Sequence, residues 1–156
     1  MAQKKLQRFA DLKTFCNTLE YPVDMKGKWS SFFKNDNPLV LELACGRGEY
    51  TVGMAMLFPD QNFIGVDVKG NRMYIGAKKC LNDKINNAGF LRTQIEKLVE
   101  YFAPGEVDEI WITFPDPQLR ISKAKKRLTH PRFLRLYKQV LKSGGFIHLK
   151  TDSPDL

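Results

Sequence analysis

Two glycines, Gly46 and Gly48, sit in the stretch "ACGRGEY", directly after the apolar run "LVLELA". Asp67 follows 19 residues beyond Gly48, at the end of a second apolar run, "NFIGVDV". Glycine lets the backbone turn sharply and come close to a ligand. A carboxylate at the end of the next strand accepts hydrogen bonds from both hydroxyls of a ribose, so the pair implies an adenosine-containing cofactor. A dinucleotide turn needs a third glycine to pack helix on strand and a helix N-terminus free for pyrophosphate. Here Thr51 takes the third position and Glu49 puts a negative charge where the pyrophosphate would lie, which disfavours a nucleotide dehydrogenase. S-adenosylmethionine has no phosphate and carries a cationic end, which Glu42 in the first strand can face. The alternative is an ordinary strand-to-helix turn.

A second group of residues lies in "ITFPDPQLR", residues 112–120. Pro115 and Pro117 stiffen the chain on either side of Asp116 and remove backbone donors. A carboxylate held rigidly at a strand end suits the positioning of a substrate; the plain alternative is a solvated turn. Arg120, Lys123, Lys125, Lys126 and Arg127 follow within eight residues, with no acid among them. Such a run repels itself unless phosphate is near, so beside an active site it points to a nucleic-acid backbone rather than a solvated loop. The two histidines, His130 and His148, have no partner pattern of a ligand or a general base: the first reads as a first-turn or surface residue, the second as part of a strand. Cys16, Cys45 and Cys80 show neither metal nor disulfide spacing, which fits a reducing cytoplasm and a protein without a metal.

These residues need elements to hold them. The chain has 156 residues, enough for one domain, and 43% hydrophobic content, enough for a core. Phe9, Leu12, Cys16 and Leu19 fall at helical spacing, and "NDNP" at 35–38 breaks the chain, so residues 1–37 read as an N-terminal helical segment and 38–156 as the main domain. Strands are expected at 39–44, 62–68, 88–93, 107–114 and 144–152, and helices at 49–58, 71–86, 95–102 and 131–141. In the last of these helices, Thr129 offers a cap, Pro131 suits the first turn, and Phe133, Leu134, Tyr137, Val140 and Leu141 form the buried stripe. Near-continuous apolar strands alternating with helices imply an α/β fold, a doubly wound, mostly parallel sheet of five strands covered on both faces. Ligands of such sheets sit at the carboxyl ends of the strands, which is where both groups of residues lie. No run is long enough to span a membrane, and the charged N-terminus lacks an apolar signal core. Lys and Arg total 25 against 17 Asp and Glu, a net charge of +8 that favours a polyanionic partner.

Five segments, "LELACGRGEYTVGMA", "NFIGVDVKGNRM", "EIWITFPDPQLR", "KKRLTHPRFL" and "GGFIHLKTD", together resemble the bacterial tRNA (guanine-N7-)-methyltransferases over about residues 1–152. The "FPDP" loop with its basic run is the most specific part of that resemblance. It implies a Rossmann-like methyltransferase fold and methyl transfer from S-adenosylmethionine to N7 of a guanine in the variable loop of tRNA, in a cytoplasmic monomer or homodimer. Carried over position by position, it implies cofactor contacts at Glu42, Gly46, Gly48, Asp67 and Gln94, a catalytic acid at Asp116, and substrate contacts at Arg120 and Asp152. Lys123, Lys125, Lys126 and Arg127 would hold phosphates. Two rival readings are a non-catalytic RNA-binding fragment of such an enzyme and a Rossmann-like methyltransferase with another substrate. Ala44 replaces the usual first glycine of the turn, which is tolerable at negative φ. The family continues past "TD" with a helix, a closing pair of strands and a Thr-x-x-Glu motif. The C-terminal strand pair is therefore expected to be missing, leaving strand 144–152 as an unpaired edge unless a partner covers it.

Overall fold

The computed structural model describes residues 2–154 and 156. Helix α1 (Ala2–Leu12) leads to strand β1 (Thr18–Glu20) and the short helix α2 (Trp29–Phe33). Then follow β2 (Leu39–Leu43), α3 (Glu49–Leu57), β3 (Asn62–Asp67), α4 (Gly70–Asn82) and β4 (Ala88–Arg92). A 3-10 helix at Ile95–Glu100 precedes β5 (Val107–Thr113). A second 3-10 helix at Ile121–Lys126 precedes α5 (Pro131–Val140) and β6 (Leu141–Lys150).

The strands form one sheet in the order β1-β4-β3-β2-β5-β6, and every pairing is parallel. The α/β, doubly wound reading therefore holds, with six strands in place of five. The additional strand is β1, a three-residue piece that among the described residues pairs with β4 alone. It lies in the segment read as helical, because α1 ends at Leu12 and the helical spacing of Cys16 and Leu19 is coincidental. The order reverses between β2 and β5, and that reversal opens a crevice at their carboxyl ends.

Alternation along the strands feeds two cores. On one face Leu39, Leu41, Leu43, Ile64, Val66, Ile110 and Ile112 pack with the first 3-10 helix, α5 and Trp29. On the other face Val40, Phe63 and Phe90 pack against Leu12 of α1, Val52 and Ala55 of α3, and Met73 and Ala77 of α4. Trp29 is buried, stacks on Phe102 at 5.1 Å and donates its indole N–H to the Tyr101 carbonyl at 2.8 Å. α5 buries Phe133, Tyr137 and Val140, while Leu134, expected in that stripe, is 39% exposed. The cap of α5 is His130, whose Nδ1 accepts the Arg132 N–H at 3.1 Å, rather than Thr129. β6 closes the sheet at one edge, and its Phe146, Ile147 and Leu149 are exposed.

Candidate functional site at the switch point

The glycine turn is fixed by both of its neighbours. Cys45 N–H donates to the Val66 carbonyl at 3.0 Å, and Gly46 N–H donates to Asp67 Oδ2 at 2.8 Å. Gly46 and Gly48 take φ of +55° and +79°. A Cβ on Gly48 would lie 2.7 Å from the Phe90 ring, so only glycine lets α3 start this close to the sheet. Gly76 of α4 meets the same turn from above: a Cβ there would fall 2.6 Å from the Arg47 carbonyl oxygen. Ala44 adopts φ +56°, so the expected negative angle is not found. The turn needs the left-handed conformation there, and tertiary bonds on Cys45 and Gly46 hold the alanine in it.

Glu42 is 3% exposed, deep in β2, and its carboxylate joins three elements. Oε1 accepts Thr51 N–H at 3.1 Å and Thr51 Oγ1–H at 2.6 Å, and Oε2 accepts Thr113 Oγ1–H. Burial raises its pKa above the ordinary 4.5; the threonine bonds pull it partly back and Asp67 adds repulsion. Glu42 thus ties the turn end of α3 to the end of β5 and lines the cavity above the turn. Asp67 at the end of β3 accepts one backbone N–H on each oxygen, from Gly46 and from Lys69 at 3.0 Å. Each oxygen therefore keeps a lone pair for a hydroxyl donor.

A cavity of about 330 Å³ opens above this turn, lined by Glu42, Gly46, Arg47, Tyr50, Arg72 and Phe114 among others. Arg47 and Tyr50 stand in the turn motif but its glycine spacing gives them no role, and Arg72 comes from α4, where its guanidinium lies 3.9 Å from where a Gly46 Cβ would be. Phe114 and Gln118 take φ of +46° and +48°, so the loop after β5 carries backbone strain on both sides of Pro115 and Pro117. Asp116 in that loop is exposed, and its Oδ1 accepts the Gln118 N–H at 2.9 Å. It lines a neighbouring cavity of about 400 Å³ together with Arg120 and Lys123, separate from the one at the glycine turn. Gln94 lies exposed at the start of the first 3-10 helix, and Asp152 lies exposed two residues past β6.

The basic run forms a turn of 3-10 helix rather than a loop. It is anchored at both ends: Arg127 Nε donates to the Gln118 carbonyl at 3.1 Å, and Tyr137 Oη of α5 donates to the Leu128 carbonyl at 2.8 Å. The Lys126 ammonium shares a hydrogen bond with Lys123 and is repelled by it, which lowers its pKa. Two cations held this way gain from any bound anion. Among the described residues no group of three or more His, Cys, Asp or Glu side chains is arranged to hold a metal ion, and no helix is long and apolar enough to cross a membrane. Burial raises the thiols of Cys45 and, to about 11, Cys80.

The profile of a family described as "Putative methyltransferase" matches residues 36–156. The tRNA (guanine-N(7)-)-methyltransferase of Bacteroides fragilis is 54% identical over 98% of this chain, and that of Christiangramia forsetii is 52% identical over 97%. The chain spans 64% of the length of the first relative and 72% of the second. Among solved structures, the aminoglycoside resistance methyltransferase NpmB1 superposes with a TM-score of 0.67 at 19% identity, over 83% of this chain and 62% of that one. That likeness supports a Rossmann-like methyltransferase fold. The residue pattern and the relatives together assign this chain to the tRNA (guanine-N(7)-)-methyltransferase family.

Proposed function

We propose that this chain transfers a methyl group to N7 of a guanine in the variable loop of tRNA. The observation that supports the reading is Asp67, at the end of β3, bonded to the N–H of the cavity-lining Gly46 and with a free lone pair on each oxygen. That donor set fits the ribose of S-adenosylmethionine, which when bound supplies an electrophilic methyl on a sulfonium. Gly46 and Gly48 let the backbone approach it, Glu42 offers its remaining lone pair to the cationic amino-acid end, and Gln94 serves the adenine.

Guanine N7 has an in-plane lone pair and no proton, so no general base is required. The residues contribute positioning and exclusion of water. Asp116 and Asp152 accept from the N1 and N2 donors of guanine, an edge that adenine does not present. Asp116 also offsets the positive charge that builds on the ring. Arg120, Lys123, Lys125, Lys126 and Arg127 hold phosphates and supply affinity without sequence specificity.

The test is transfer of labelled methyl to unmodified tRNA, followed by chemical scission at 7-methylguanine. Label in the variable loop supports the reading; no label, or label at another atom, sinks it. Asp116→Ala should abolish transfer while S-adenosylmethionine affinity stays close to wild type. Loss of cofactor binding in that variant would take Asp116 out of its assigned role.

A further inference from the structure

Two aromatic rings at the switch-point cavity have no part in the cofactor and guanine contacts proposed for this chain. Tyr50 projects from the first turn of α3, and Phe114 follows β5. Their centroids lie 6.2 Å apart, with planes inclined at 46°. Phe114 is 51% exposed, and its φ of +46° is a conformation that a bulky residue adopts only when its surroundings impose it. The imposing contact is visible: Phe114 N–H donates to the Lys150 carbonyl at 2.7 Å. The same residue's ammonium lies 5.1 Å from the Tyr50 centroid and 5.7 Å from that of Phe114. Backbone strain therefore holds an apolar ring out in solvent, where it shares one cation with a second ring.

We infer that Tyr50 and Phe114 form a site for the target purine that prefers the base once it is methylated and cationic, with the Lys150 ammonium holding the place until the base enters. The inference rests on the proposed reaction. In that reaction the N7 lone pair forms the new N–C bond, and the electron pair of the breaking C–S bond stays on sulfur. The positive charge passes to the purine ring, and no proton moves. An aromatic face attracts a planar cation more than the neutral ring it came from. Rings set beside the acceptor thus favour the charge that develops during transfer, as fixed dipoles do for developing anions elsewhere. Both rings line the cavity at the glycine turn, and Phe114 stands at the start of the loop that leads two residues on to Asp116; the inference sets the purine between that cavity and the neighbouring one at Asp116.

The test is equilibrium binding of 7-methylguanosine and of guanosine to this chain, in mildly acidic buffer where the methylated base keeps its full positive charge. Wild type should bind 7-methylguanosine about fivefold or more tighter, the equivalent of one cation–aromatic contact of about 1 kcal/mol. Phe114→Leu and Tyr50→Leu should each erode that preference, with thermal unfolding kept. No preference in wild type, or a preference that survives both substitutions, overturns the inference. So does a Phe114→Leu variant that loses affinity for S-adenosylmethionine but not for S-adenosylhomocysteine, since the rings would then serve the sulfonium. Methyl transfer to tRNA is measured in parallel. Transfer without the nucleoside preference sinks this inference and leaves the proposed function standing; the preference without transfer does the reverse.

Discussion

Glu42 shows how one buried side chain can tie the elements around the switch-point cavity together. Three donors from α3 and β5 converge on a carboxylate that burial disfavours as an anion. Its folded pKa is raised, so the folded state holds this proton more tightly than the unfolded chain. Its contribution to stability is full below about pH 4.5 and is lost as the pH rises through the folded value. Glu42→Gln keeps an acceptor for Thr51 and removes the titration. Comparing the melting temperatures of wild type and variant across mildly acidic to neutral pH should show the wild type losing ground steadily as pH rises; a constant difference would mean that Glu42 is not perturbed. Ala44 yields a second residue-level prediction. Its φ of +56° costs an L-residue about 1–2 kcal/mol, against about 0.5–1 kcal/mol for the extra unfolded freedom of glycine. Ala44→Gly should therefore stabilise the chain by about 0.5–1 kcal/mol in denaturant unfolding. Glu42, Gly46, Gly48 and Asp67 are visible in the sequence because strand-end spacing locates them. The angle of Ala44 is not, because bonds from Val66 and Asp67 set it.

The elements differ in how legible they are, for a common reason. Strands β2 to β5 are near-continuous apolar runs and α4 and α5 carry an amphipathic stripe, so their existence and type follow from local pattern. β1 is Thr-Leu-Glu, too short for a period, and exists only because β4 offers an edge. The basic 3-10 helix buries none of its residues and so leaves no hydrophobic trace; its ends are fixed by Gln118 and Tyr137 from other parts of the chain. That anchoring matters for the element's work, since a fixed helix presents its cations as a set. Replacing Lys123, Lys125, Lys126 and Arg127 with Ala should weaken tRNA binding. It should also reduce the slope of log affinity against log salt by roughly three to four, about one for each phosphate that is no longer neutralised. Electrophoretic or filter binding over a series of salt concentrations reads this directly, and an unchanged slope would return the segment to a solvated surface.

At the scale of the whole molecule, the site depends on parts far from it in sequence. β1 extends the sheet beyond β4, α1 packs Leu12 into the core beneath α4, and Trp29 enters the opposite core against Phe102 and Tyr101. Glu106 reinforces that seat by accepting N–H bonds from Gly27 and Ala103 at 2.9 and 2.8 Å. The segment before the "NDNP" break, which composition sets apart, is therefore held by the same cores that hold the glycine turn. We expect it to unfold with them in one transition. Trp29→Ala removes a side chain that is 1% exposed, a truncation that costs about 3–5 kcal/mol. For a chain of this size that amounts to a fall in melting temperature of roughly 10 °C. Far-UV circular dichroism and tryptophan fluorescence should report coincident transitions in wild type and, through Trp111, in the variant. An early fluorescence transition in wild type that is absent from the Trp29→Ala chain would show the first 37 residues melting on their own, and the sheet carrying the site would then owe them nothing.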